Sequence, residues 1–322
     1  MSILLGAVAP VFVIIAIGFL IRRNGVLSAE ADASLLRISV NVLYPCLIVS
    51  TIVGNDALHH AVNVWLPPLT GLITVGAGYL ACYAGAWLLR IPRGRETRTF
   101  VFVTGMYNYT YTALPVAERI FGAKTLGVLF THNLGVEVAF WLGASLILMG
   151  HSDTGEAGGM SLWRRILSMP VIAIIVSLAL NFAHAADYLP GWVFGAIRMM
   201  GAAAIPMALL LTGATLDDFL EDARPTRARA AMLTGACLLR LGVLPLVFLA
   251  LAHWLPCSTE LKQVLIVQAA MPSAMLPVLL SKHYGGDARM AVQIVLGTTI
   301  LSIFTIPYWI QFGIAIAGLH PL

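Results

Sequence analysis

The sequence predicts an all-α membrane protein: ten transmembrane helices in two inverted five-helix repeats, with the fourth and ninth helices broken. Three observations carry that expectation. The chain is poor in charge. Its apolar residues fall into ten runs of membrane-spanning length. Proline-marked segments recur at a nearly constant offset between the two halves.

Charged residues make up 11% of the 322 residues, hydrophobic residues 59%, and the mean hydropathy is +0.89. Soluble domains carry about 25% charged residues. One large core cannot account for so low a value along the whole chain, so the chain must meet a second apolar solvent, the lipid bilayer. The net charge of +4 does not point to nucleic acid. The Lys and Arg lie in short gaps between apolar runs and form no continuous basic face. Cys46, Cys82, Cys237 and Cys257 form no CxxC pair and have no His at zinc spacing, so they read as small packing residues; no metal and no cofactor is expected. The motifs HExxH, GxSxG and the P-loop are all missing, and an enzyme is not expected.

At about 20 residues per span, the runs lie near 2–21, 35–54, 65–89, 98–121, 125–149, 165–186, 191–214, 229–254, 261–281 and 289–317. The first is read as a helix rather than a signal peptide, because no positive residue precedes it and it ends in Arg22-Arg23. Alternate loops divide the 19 Lys and Arg unevenly. Only Arg119, Lys124, Arg198 and Lys262 fall in one set, Arg240 lies inside a run, and the remaining fourteen fall in the other. That split puts the arginine-rich set in the cytoplasm and both termini in the periplasm of a bacterial inner membrane. The stretch 151–164, with Gly155, Gly158 and Gly159, reads as a cytoplasmic linker between a first repeat at 1–150 and a second at 165–322.

The repeat shows in the prolines. Pro45 and Pro206 stand 161 residues apart in the second and seventh runs, and Pro115 and Pro277 stand 162 apart in the fourth and ninth. Five helices per half invert the second repeat relative to the first, a design of secondary transporters. Proline removes a backbone donor and crowds the preceding turn. Backbone groups freed in this way cannot face lipid and must line a cavity or be buried in protein. Amide ends meeting at mid-membrane suit an anion.

The candidate substrate-binding residues are therefore Asn108, Tyr109, Thr110, Tyr111, Thr112 and Pro115 from the fourth run, with Gln268, Pro272, Ser273 and Pro277 from the ninth. His132, Asn133 and Glu137 lie in the fifth run and Arg240 in the eighth. Glu137 falls roughly 18 Å along its helix and Arg240 roughly 16 Å along its own, which puts both near the midplane. A charge there costs about 2.5–3.5 kcal/mol on insertion scales, so both are functional candidates. Glu137 and Arg240 are expected to pair or to flank the anion, with His132 as a proton-coupling group. Gln293, 161 residues after His132, is expected in the same cavity. Ser39 and Asn41 are further candidates in the second run.

The chain resembles the auxin efflux carrier family, specifically its short bacterial members. The resemblance is carried by Gln268-Ala269-Ala270-Met271-Pro272 with Pro277 and Ser281–Gly285, and by Asn108 seven residues before Pro115. Ala204-Ile205-Pro206 through Gly213-Ala214, and Arg240–Pro245, add to it. It covers essentially the whole chain.

The resemblance implies a bile-acid-symporter-like and sodium–proton-antiporter-like fold. A scaffold would come from helices one, two, six and seven. A moving transport part would come from helices three to five and eight to ten, with helices four and nine crossing. It also implies a malonate, auxin-like or other small carboxylate as substrate, protons or sodium as coupling ions, and a homodimer as a candidate assembly. The family's glycines between the Asn and the Pro of helix four are replaced here by Tyr109–Thr112, which would tailor the pocket toward an aromatic or hydroxylated substrate. The expected function is alternating-access transport of an organic anion across the bilayer, with no nucleic-acid partner. The alternative is a sodium-coupled bile-acid or carboxylate symporter, for which uptake would require sodium.

Overall fold

A computed structural model describes residues 2–148, 166–218 and 227–319. The glycine-rich linker expected at 151–164 lies outside the described residues. In chain order the helices are α1 (Ser2–Arg23), α2 (Ala29–Ile38), α3 (Tyr44–Ile52), α4 (Val62–Leu88), α5 (Arg95–Gly105), α6 (Ala113–Phe121) and α7 (Ala123–Gly143). After the linker come α8 (Met169–Phe182), α9 (Gly191–Asp218), α10 (Arg227–Leu238), α11 (Leu244–Trp254), α12 (Thr259–Ala269), α13 (Leu276–His283) and α14 (Ala288–Ala317). No strand forms among the described residues, so the all-α class holds. A single antiparallel bridge there joins Tyr107 to Ser273.

Among the described residues, six continuous helical stretches are long and apolar enough to cross a membrane: Glu30–Ile52, Val62–Leu88, Ala123–Leu148, Gly191–Asp218, Arg229–Trp254 and Ala288–Ala317. The sixth run, expected over 165–186, forms the shorter α8 of 14 residues. Large apolar side chains such as Leu80, Trp87, Trp192 and Phe304 are exposed on the outer surface. That surface suits lipid, which removes any need for a polar exterior.

Two of the long stretches contain a wide turn immediately before a proline. Ser39–Leu43 joins α2 to α3 ahead of Pro45, and Leu239–Val243 joins α10 to α11 ahead of Pro245. Proline has no N–H for the carbonyl four residues back, and its ring crowds that turn. The helix responds by widening to five-residue bonds, from Tyr44 N to Ser39 O and from Leu244 N to Leu239 O. The carbonyl that Pro245 leaves without its usual partner belongs to Leu241, and the Trp309 indole N–H donates to it at 2.6 Å. Pro45 and Pro245 thus interrupt the regular α-helix without ending the long helical stretches.

Packing relies on glycine where backbones touch. A Cβ on Gly213 would stand 1.9 Å from the Ile15 carbonyl oxygen, and one on Gly18 would stand 2.2 Å from that of Leu210, so α1 and α9 meet along glycines. Gly135 of α7 likewise faces the Pro68 carbonyl of α4, at 1.7 Å from a built Cβ. Small residues at such contacts are how helices associate in lipid, where apolar burial supplies no drive. The Gly54-Asn55 turn after α3 is pinned to α8 by the Asn181 side-chain carbonyl, which accepts from both backbone amides at 2.7 and 3.2 Å.

Candidate substrate-binding site

The fourth and ninth runs are both interrupted. Between α5 and α6 the chain leaves the helix over 106–112, and between α12 and α13 it does so over 270–275. The two gaps meet. Asn108 N donates to the Pro272 carbonyl at 2.7 Å, and Ala274 N donates to the Met106 carbonyl at 3.0 Å. Each gap thereby satisfies part of the other's freed backbone, which buried main chain requires.

The prolines sit differently from the simplest expectation. Pro115 and Pro277 lie in the first turns of α6 and α13, just after the gaps. A helix's first turn has no internal partner for its N–H groups, so proline is tolerated there. The gap itself is held by Tyr107–Thr112 on one side and Met271–Ala274 on the other.

Asn108 closes its own turn. Its amide donates to Thr112 Oγ1 at 3.1 Å, while its side-chain oxygen accepts from Thr112 N at 3.5 Å. The Tyr109 carbonyl gathers two amides, Gln268 Nε2 at 3.0 Å and Asn133 Nδ2 at 3.3 Å; Gln268 Nε2 also reaches Asn133 Oδ1 at 3.4 Å. The Tyr109 hydroxyl donates to Glu137 Oε1 at 2.6 Å. Tyr111 stands edge-on to Tyr44 of α3, with ring centres 6.1 Å apart. The structure therefore brings together Asn108, Tyr109, Thr112, Gln268, Pro272, Ser273, Asn133 and Glu137. Tyr111 points instead toward α3, and Gln293 is buried in α14.

Sequence reasoning missed Tyr107, Thr70, Thr74, Phe248 and Thr298. The Tyr107 hydroxyl lies 3.0 Å from Thr74 Oγ1 and 3.0 Å from His132 Nε2, and His132 Nδ1 lies 3.1 Å from Thr70 Oγ1. His132 is thus fully buried within a chain of hydroxyl groups. Thr298 Oγ1 accepts from Ser273 N at 3.2 Å. The usable signal was the polar, aromatic run 107–112, which begins one residue before the stretch singled out.

Of the two arrangements expected for Glu137 and Arg240, direct pairing does not form. No ion pair joins Arg240 to Glu137, because Glu137 faces Tyr109 while Arg240 projects from the wide turn between α10 and α11. The guanidinium carbon lies 5.3 Å from the Tyr107 ring centre and 5.7 Å from that of Phe248. The residue is fully buried, and among the described residues none of its three nitrogens meets a hydrogen-bond partner. Cation–π contact in a dry setting contributes about 2 kcal/mol. That falls short of the several kcal/mol needed to desolvate an ion. Ser273 Oγ and Gln268 Oε1, beside the same crossing, are also buried without a partner among the described residues. Asn41, by contrast, is exposed and donates to the Arg37 carbonyl of its own helix, while Ser39 is buried.

Among the described residues the chain is all-helical, with interrupted segments bonded to each other, a feature found in secondary transporters of the membrane. The particular family follows from sequence comparison: the model of the family described as "Membrane transport protein" matches residues 3–158 and 154–310. The chain belongs to this auxin efflux carrier-like membrane transport family. It is 26% identical over 303 residues to an uncharacterized transporter of Methanothermobacter thermautotrophicus, covering 94% of this chain and 96% of the relative. It is 22% identical over 305 residues to an uncharacterized transporter of Methanocaldococcus jannaschii, covering 93% and 95% respectively.

Proposed function

We propose that the protein is a secondary transporter that moves a small organic anion, a carboxylate such as malonate or an auxin-like acid, by alternating access. The observation that carries this reading is the bonded pair of gaps at 106–112 and 270–275, with the unpartnered Arg240 guanidinium stacked on Tyr107 behind it. A fixed cation without an acid favours a solute that brings negative charge. Unpaired Ser273 Oγ and Gln268 Oε1 supply polar contacts at the same place. Asn108, Tyr109–Thr112, Pro115, Pro272 and Pro277 complete the substrate site of this reading, and His132, Asn133, Glu137 and Gln293 form its intramembrane polar surroundings.

The reading includes ten spans in two inverted five-helix repeats. Its supports are the six long helices, α1 and α8, the two interrupted pairs α5–α6 and α12–α13, and the matching proline offsets. It also includes a scaffold of α1–α3, α8 and α9 against a moving part of the remaining helices. The glycine contacts of α1 with α9, and of α4 with α7, favour that division. Residence in a bacterial inner membrane with both termini outward rests on the lysine and arginine distribution.

Proteoliposome uptake tests the function. Saturable uptake of labelled malonate or indole-3-acetate above protein-free vesicles is expected. Vesicles containing protein that take up no carboxylate faster than empty ones would remove the organic-anion assignment. Repeating the assay with and without a sodium gradient, and with and without a pH gradient, identifies the coupling ion.

A further inference from the structure

At the far end of α5 from the crossing, a cavity of about 580 Å³ is lined by Arg93, Arg95, Glu96, Arg229, Asp287, Ala288 and Arg289. Its size falls within the roughly 300–1,000 Å³ of small-molecule sites. Three separate segments build it: the start of α5, the start of α10 and the entry to α14. They are tied together from within. Arg95 donates to the Gly286 carbonyl at 2.7 Å. Arg229 forks onto the two oxygens of Asp287 at 2.9 and 3.4 Å. Asp287 N meets Thr99 Oγ1 at 2.8 Å.

Among the described residues, four guanidinium groups therefore line the cavity with two carboxylates, and one of those, Asp287, is already held by Arg229. Arg93, beside this frame, is exposed. Charge-directed membrane insertion accounts for which side these arginines occupy. It does not require arginines from three segments to converge on one hollow. Guanidinium forks match the oxygens of phosphate. The cavity also lies at the ends of α5, α10 and α14, and basic pockets between the ends of membrane helices take anionic lipid headgroups.

We infer that this cavity is a binding site for a phosphate-type oxyanion, carried either by an anionic phospholipid headgroup or by a free phosphate compound. The occupant bridges the three segments and so clamps α5, α10 and α14 at this end.

The test uses purified full-length protein in detergent. Short-chain phosphatidylglycerol, phosphatidylcholine and inorganic pyrophosphate are titrated in turn, read by native mass spectrometry and by thermal unfolding. Preferential retention of phosphatidylglycerol is expected, weakened about tenfold by Arg93→Gln and unaffected by Arg198→Gln on the arginine-poor side. Added salt should weaken it as well. Displacement of the lipid by pyrophosphate identifies the free anion as a sufficient occupant. Retention of the lipid against pyrophosphate identifies the headgroup. Arg93 is exposed, so its replacement leaves the Arg95 and Arg229 frame in place and the variant folded. Equal retention of both lipids with no pyrophosphate binding overturns the proposal, as does undiminished binding by the Arg93→Gln, Arg289→Gln double variant.

Discussion

Arg22 and Arg240 are both buried arginines, yet they sit in opposite electrostatic settings. Arg22, at the end of α1, forms ion pairs with Asp32 of α2 and with Asp218 at the end of α9, the latter at 3.0 Å; it also donates to the Leu27 carbonyl at 2.7 Å. Its charge is neutralised, and its work is to hold three helix ends together. Arg240 has aromatic faces but, among the described residues, no acid and no hydrogen-bond partner. A charge that assembly alone explains finds its counter-charge within the protein. A charge left open beside interrupted helices is better explained by a partner that comes and goes.

The largest expected effect follows from removing the open charge. Arg240→Met should cut carboxylate uptake by about a hundredfold, the worth of a charged hydrogen bond lost to the solute. Its thermal midpoint should stay level or rise, because an uncompensated buried ion has been taken out. Lost stability together with normal uptake per folded molecule would place Arg240 in the same structural class as Arg22. Arg22→Ala should show the reverse pattern. Fully buried pairs cost about 3–5 kcal/mol when one partner is removed. The Asp218 side chain is 42% exposed, so about 2 kcal/mol is expected here, with uptake per folded molecule unchanged.

Much of this was legible in the chain. The apolar runs anticipate the all-helical class, and the polar stretch beginning at Asn108 lies in one of the two observed gaps. The partners within the membrane were not. Arg240 and Glu137 have similar depths along their helices, which invited a pairing. Depth fixes height and leaves rotation about the helix axis undetermined. The wide turn before Pro245 changes that rotation for Arg240. Tyr107 was missed for a related reason: an extended residue between two half-helices has neither helical nor strand periodicity to mark its direction. Pro115 and Pro277 marked the gaps only indirectly, since each starts the half-helix that follows.

Tyr107 allows the comparison to be sharpened, because its ring serves Arg240 while its hydroxyl serves Thr74 and His132. Tyr107→Phe keeps the ring over the guanidinium and leaves buried polar groups short of a partner. It should cost about 1–2 kcal/mol in chemical unfolding with uptake changed only a few-fold. Tyr107→Leu removes the ring as well, and with it the cation–π contact, so its additional deficit should appear in uptake.

The smallest effect is expected at Asn108, which touches neither arginine. Its side chain closes the 108–112 turn through two bonds to Thr112, one of them long at 3.5 Å. Its backbone amide bonds to the Pro272 carbonyl whatever its side chain. Asn108→Ala should therefore keep the two gaps joined and lose about 1 kcal/mol of stability, as when a helix-capping side chain is removed. If the side chain also contacts the solute, the Michaelis constant for uptake rises as well, while Asn108→Asp, which keeps the acceptor for Thr112 N, restores stability but not affinity for an anion. A variant that loses stability alone confines Asn108 to shaping the turn, and leaves Arg240 as the residue on which anion selectivity depends.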